Sequence, residues 1–391
     1  LAHTQGPTNF DGRTYVYAAF GDRAGNNFLP NNLIASAGLE TASQGMDVVT
    51  YSGTNSAQNI SSLAFQPDFI WFKARSYTGS HALVDSVRGI SKQLQSNTTN
   101  AESTNSSGAG PQSFNSNGFS LGTESSATGS TNGSGQTYVA WCWKAGGTAV
   151  SNTDGTITSS VSANQTYGFS ICNYVGNATS GATFGHGLGA APKWVIIKSR
   201  DSGHDWIVYH ASAGDTGALR LNGTNAVDTN IKWFNNTSPS SSVFTLGNTG
   251  GTNDNGDNML AYCWAEIPGF SKFGSYTGNG SATGPVITTG FKPRWIVVKA
   301  TSYAAHWDIM DTERSPTNPQ QNTLRLDSNT AEFSDTSATY GIVWEVTDTG
   351  FKILRGSSGH DINRNGESYI YAAFADKPPG EIIDSVIDTP T

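Results

Sequence analysis

The sequence predicts an all-β protein built of tandem β-sandwich, jelly-roll-like repeats of about 100 residues, arranged as beads on a string. Three observations predict it. A short strand-like anchor occurs three times. A second, aromatic strand follows each copy at the end of a similar segment. Charged residues make up only 13% of the chain, against about 25% in ordinary soluble domains, while aromatic residues reach 11%, so a core can form without a charged shell.

The anchors are Pro67-Asp68-Phe69-Ile70-Trp71-Phe72-Lys73, Pro192-Lys193-Trp194-Val195-Ile196-Ile197-Lys198 and Pro293-Arg294-Trp295-Ile296-Val297-Val298-Lys299. Proline suits the first residue of a strand, where its missing N–H costs no ladder bond. The apolar run behind it reads as a strand buried on both faces or nearly so. Before each anchor lies an alternating run that stops at glycine: Asp47–Gly53, Ser170–Gly176 and Lys272–Gly278.

Each repeat closes with Tyr138–Trp143, Met259–Trp264 or Tyr369–Phe374, where small and aromatic residues alternate as in a strand packed on a second sheet. Upstream sits a phenylalanine strand, around Phe119, Phe244 and Phe351. Between the two lies Asn132-Gly133, Asn255-Gly256 or Asn365-Gly366, a strong hairpin signal because both residues tolerate positive φ.

The anchor tryptophans Trp71, Trp194 and Trp295 are 123 and 101 residues apart. Solenoid and propeller repeats run about 20–50 residues and cannot stand alone, whereas a unit of this length can close its own core. The expected organisation is repeat 1 over 46–146, a linker over 147–165, repeat 2 over 166–267, repeat 3 over 268–377 and a tail over 378–391. The Gly-, Ser- and Thr-rich first linker is expected to flex, and the short Ile267-Pro268-Gly269 to hold repeats 2 and 3 rigid. Arg13–Asp22 matches the closing strand of repeat 3. Residues 1–22 therefore read as the end of a repeat upstream of residue 1, joined by a linker over 23–45.

A net charge of −8 speaks against nucleic acid and anionic membrane surfaces, and no apolar run approaches the length of a membrane helix. The three cysteines, Cys142, Cys172 and Cys263, make neither a disulfide framework nor a metal or redox spacing and read as buried thiols.

The anchor Phe65–Lys73 resembles a repeat of virion proteins from tailed marine phages, especially cyanophages. So do Asp85-Ser86-Val87-Arg88-Gly89, Asn115–Phe119 and Tyr138–Gly147. The match is close over repeat 1 and looser over repeats 2 and 3; repeat 2 lacks the Asp-Ser-Val-Arg-Gly segment and repeat 3 keeps only Met310-Asp311-Thr312-Glu313-Arg314. The resemblance brings no catalytic residues. It implies a place on the virion surface, other virion proteins as partners, and homo-oligomers, often trimeric in such appendages.

Motifs with chemical meaning are few. Gly118-Phe119-Ser120-Leu121-Gly122 fits a nucleophile-elbow pattern but lacks the strand-turn-helix context, and Ser120 reads as a strand residue. After each anchor comes His81 with Asp85, His204 with Asp205 and Trp206, or His306 with Trp307 and Asp308. Tryptophan stacks on sugar rings and aspartate accepts from hydroxyls, so these are candidate glycan-binding residues; the plainer reading is a structural contact shared by the repeats. Asn253–Asn258 resembles part of a calcium loop, but its twelfth position lacks a glutamate and an Asn-Gly turn explains it as well. Asp201, Asp205 and Asp215 show no ligand spacing, and Glu345 reads as a solvent-facing strand residue. No carboxylate pair recurs for glycoside cleavage. The expectation is a protein without catalytic residues, cofactor or metal: a structural virion protein, most simply a projecting fibre touching a host-surface glycan. The alternatives are a capsid decoration protein, a carbohydrate-binding module array, and a polysaccharide-degrading enzyme.

Overall fold

The computed structural model describes residues 44–106, 108–124, 129–334, 343–354 and 362–376, and these belong to one compact body. The expected strand at Arg13–Asp22, the linker up to residue 43 and the tail over 378–391 lie outside the described residues. The protein is nearly all β, with antiparallel ladders throughout the main sheets.

Each unit has a main sheet with one strand order. In unit 1 the opening strand Met46–Ser52 pairs with the closing strand Thr137–Trp143, which pairs with the anchor Phe69–Ala74, which pairs with Ala82–Asp85. Unit 2 repeats this with Phe169–Val175, Asn258–Ala265, Pro192–Ser199 and Ile207–His210. Unit 3 repeats it with Ser271–Thr277, Ser368–Ala375, Pro293–Ala300 and Trp307–Asp311. A smaller sheet carrying Phe119, Phe244 or Phe351 covers one face of each main sheet.

Side-chain alternation explains why the anchor and closing strands are apolar at nearly every position. In the closing strand of unit 1, Ala140 and Cys142 face that unit's own small sheet, while Val139, Trp141 and Trp143 face the other way. Unit 2 divides Ala261 and Cys263 from Leu260, Tyr262 and Trp264 in the same manner. The outward set of all three units meets in one cluster, which includes Trp71, Trp143, Trp194, Trp264, Trp295 and Phe374. Trp143 touches Trp264, Trp295 and Phe374 with ring centroids 5.6–5.9 Å apart. All ten tryptophans of the chain are buried. At about 200 Å² and ~25 cal/mol per Å² each, a tryptophan brings about 5 kcal/mol of gross apolar burial, so this hub is a large part of the driving force.

The units therefore do not stand apart as beads, because each main sheet has two apolar faces and a lone sandwich covers only one of them. Two further expectations change. The span 147–165 is not a flexing linker: Val150–Asn152 and Ser159–Asn164 are strands that extend the sheet of unit 2 beyond its opening strand. Val161 packs into the core of unit 2 while Ser160 faces solvent, so this Ser-rich run serves as a strand. The Asn-Gly sites do not close hairpins, since the strands on either side of each belong to different sheets. The glycine with positive φ is Gly135 in unit 1, matching Gly256 and Gly366, and Asn132 aligns instead with Asn253 and Asn363. These three asparagines are buried, and their amides bond backbone groups across the connection: Asn132 donates to Ser56 O and Gly122 O, Asn253 to Thr179 O and Gly247 O, Asn363 to Ser281 O.

Candidate functional site

The side chains singled out from the sequence sit mainly where unit meets unit. Counting back four residues from the end of the strand after the anchor (Asp85, His210 and Asp311) brings His81, Trp206 and Trp307 into register. Each is buried, and each bonds a backbone carbonyl of the neighbouring unit. Trp206 Nε1 donates to Gln95 O at 2.9 Å, Trp307 Nε1 donates to Arg220 O at 2.9 Å, and His81 Nε2 lies 3.0 Å from Arg325 O. Gln95, Arg220 and Arg325 follow Leu94, Leu219 and Leu324, which pair with Leu83, Val208 and Ile309. One contact is thus made three times, from unit 2 to unit 1, from unit 3 to unit 2, and from unit 1 to unit 3. The arrangement is a closed ring with pseudo-threefold symmetry.

The other ring nitrogen of His81 accepts from Trp71 Nε1 at 2.8 Å, so the ring is neutral with its proton on Nε2. Burial pushes its pKa down to about 3, the nearby Lys73 acting in the same sense. His210 has the same character. Its Nδ1 accepts from Ser212 N, its Nε2 lies 3.1 Å from Tyr371 O of unit 3, and burial lowers its pKa to about 4.

At the strand end the junctions differ. Between units 1 and 2, Asp85 and Arg88 form a fully buried pair, Tyr262 donates to Asp85 Oδ2 at 2.8 Å, and Glu102 bridges Arg88 to Arg200. Between units 3 and 1, Asp311 and Arg314 form the equivalent buried pair, Trp141 Nε1 donates to Asp311 Oδ2 at 2.9 Å, and Glu332 bridges Arg314 to Arg75. Glu102 N donates to Arg200 O, Glu332 N to Arg75 O and Val227 N to Thr301 O, so the backbone contact is kept all round. Between units 2 and 3, however, His210, Val227 and Thr301 stand where the charges would be. At this position two junctions are ionic and the third is not; its ion pair, Glu266 with Lys272, lies by the connection between units 2 and 3 instead.

The lysines that end the anchors complete the set. Lys73, Lys198 and Lys299 occupy one register and are fully buried. Lys73 donates to Ala74 O and to Asn329 O of unit 3, Lys299 to Ala300 O and Thr224 O of unit 2, Lys198 to Ser199 O and Ser202 O. Desolvation lowers the pKa of Lys73 and of Lys198 to about 8.

The remaining candidates bond within their own unit. Asp205 pairs with Arg220, and His306 Nδ1 lies 2.6 Å from Asp327 Oδ2, which raises the imidazole pKa. Asp308 is buried and pairs with Arg325. His204 does not align with His81 or His306; its Nε2 lies 2.8 Å from Asp254 Oδ2. Ser120 is on a strand with its hydroxyl against Ser113, Glu345 pairs with Lys352, and the three cysteines are buried and free. Sequence reading missed Glu102, Glu332, Arg75 and Arg200. The recurring Asp-x-x-Arg at 85–88 and 311–314 was the available signal, since that spacing returns an arginine to its own aspartate.

The fold and its polar contacts thus define a three-unit β ring closed on itself. The chain belongs to the family described as a domain of unknown function, DUF7483, whose model matches residues 41–378 and so spans the whole ring. No curated protein and no solved structure matches it.

Proposed function

We propose that this chain is a non-enzymatic structural protein of a tailed-phage virion, exposed on the particle as part of a projecting fibre or appendage that contacts the host surface. The observation that carries the reading is the employment of the chemically capable side chains. Most of the His, Asp, Arg and Lys residues at recurrent positions spend their polar atoms holding one unit to the next, as in a rigid load-transmitting module. The resemblance of the repeats to phage virion proteins supplies the setting. Partners on this reading are other virion proteins, further copies of the chain, and a host-surface glycan met by the Ser-, Thr- and Asn-rich exterior.

The compact body favours a second reading, a decoration protein seated on the capsid, because separate beads would suit a long projection better. Immunogold labelling of purified particles distinguishes them. Label at the tail supports the fibre, label over the head supports decoration, and a protein absent from purified virions removes both.

A further inference from the structure

His204, Asp254 and Asp257 come together on unit 2, with one ligating atom from each lying within 4.8 Å of the others. The His204 imidazole approaches from the loop after the anchor, and both aspartates come from the turn before the closing strand. Asp257 Oδ2 accepts from the hydroxyl of Ser199 at 2.6 Å, and Ser199 is fully buried on the anchor strand. Gly250 lets the imidazole lie there, since a Cβ at that position would stand 2.6 Å from its Nε2.

The pseudo-threefold symmetry provides an internal control. By strand register, the places of His204, Asp254, Asp257 and Ser199 are taken in unit 1 by Gly79, Gly133, Gln136 and Ala74, and in unit 3 by Ala305, Arg364, Glu367 and Ala300. The same backbone forms without the trio in both, and in unit 3 the guanidinium of Arg364 packs 4.1 Å from the Tyr303 ring centroid instead. The fold does not require an imidazole, two carboxylates and a buried hydroxyl at this spot; unit 2 alone has all four.

We propose that His204, Asp254 and Asp257 form a site for a divalent transition-metal ion, with Ser199 orienting Asp257 from behind. One imidazole nitrogen and two carboxylate oxygens suit zinc and its neighbours better than calcium, which takes six to eight oxygens. Donor atoms around such an ion stand about 3.5 Å apart, against a spread of up to 4.8 Å among these three. The side chains of His204 and Asp254 are each 38% exposed, which leaves the remaining coordination positions open to water.

The test is isothermal titration of the full chain, freed of metal by chelation, with ZnCl2 and separately with CaCl2. One saturable zinc site per chain is expected, weakened by about tenfold or more in H204A and in D257N, and by about tenfold in S199A. Zinc should also shift the His204 imidazole resonances. His204 and Asp257 are half-buried and outside the apolar core, so the metal-free variants should stay folded and melt close to wild type. Absence of saturable zinc binding, zinc binding that survives both H204A and D257N, or calcium bound as tightly as zinc by wild type and H204A alike, overturns the proposal and leaves an ordinary His–Asp pair.

Discussion

Tyr262 donates its hydroxyl proton to Asp85, 177 residues away in sequence, at 2.8 Å and out of contact with solvent. The same carboxylate holds Arg88, whose guanidinium also reaches Tyr262 at 3.1 Å. Burial holds the Tyr262 phenol well above its usual pKa, so it stays a donor. A buried ion pair of this kind is costly to break, because the charge left behind has no water. Replacing Arg88 by Ala should destabilise the protein by about 3–5 kcal/mol, whereas the double change D85L/R88M should cost less than either single change. Urea unfolding of the three variants checks this; a double variant as unstable as the sum of the singles contradicts it.

Because one apolar hub takes residues from all three units, the units should unfold together. Calorimetry should show a single transition whose calorimetric and van't Hoff enthalpies agree. Three separable transitions would mean that the inter-unit faces contribute little.

Tryptophans in the hub and at the junctions should respond differently to Trp→Phe. The indole N–H of Trp264 has no hydrogen-bond partner, so W264F changes mainly shape. W206F removes the bond to Gln95 O and leaves that part-buried carbonyl only the longer bond from Thr98 N at 3.4 Å, an added cost of about 1 kcal/mol. Equal losses in denaturant midpoint for the two variants would refute the assignment.

The left-handed position after the opening strand recurs at Asn55, Ala178 and Gly280, with φ of 57°, 53° and 60°. Alanine is strained there by about 1–2 kcal/mol. A178G should therefore stabilise the protein by about 1 kcal/mol despite the entropy that glycine adds to the unfolded chain. Two residues earlier, G176A should destabilise it, because the new Cβ would lie 2.0 Å from Asp254 O. Thermal melts of the pair test both signs.

Acid should loosen the ring. His81 and His210 have folded pKa values of about 3 and about 4, below the 6.5 of a free imidazole. The unfolded chain binds protons first, so the stability these groups confer is complete above pH 6.5 and is lost as pH falls toward 4 and then 3. For His210 the full span is on the order of 3 kcal/mol. H210Q should flatten the fall in unfolding free energy between pH 6.5 and 4; an unchanged slope would place the acid response elsewhere. The buried Lys73 and Lys198 act at the other end. Their lowered pKa values make the unfolded chain the better proton binder between pH 8 and 10.5, so their part of the stability rises across that window.

Much of the local structure was legible in the residues. Proline followed by an apolar run marks each anchor because a strand buried on both faces needs no polar alternation, and the closing strands alternate small with aromatic for the same reason. What the second face packs against was not legible: a run such as Trp194-Val195-Ile196-Ile197 is equally apolar whether its outer side meets its own sandwich or a neighbouring unit. Recurrent histidines misled for a related reason. His81, His204 and His306 look alike in one dimension, but the strand end sets the register, and it places His81 with two tryptophans.

The sequence by itself determined the β class, the threefold recurrence and the places of the anchor and closing strands, since these follow from period, proline and glycine within a few residues. Only the tertiary structure decided that the units close into a ring, which junctions carry charge, and that His204 meets Asp254 and Asp257. Those outcomes depend on pairs some 50 to 257 residues apart, and short-range pattern carries no information about which distant surfaces bury one another.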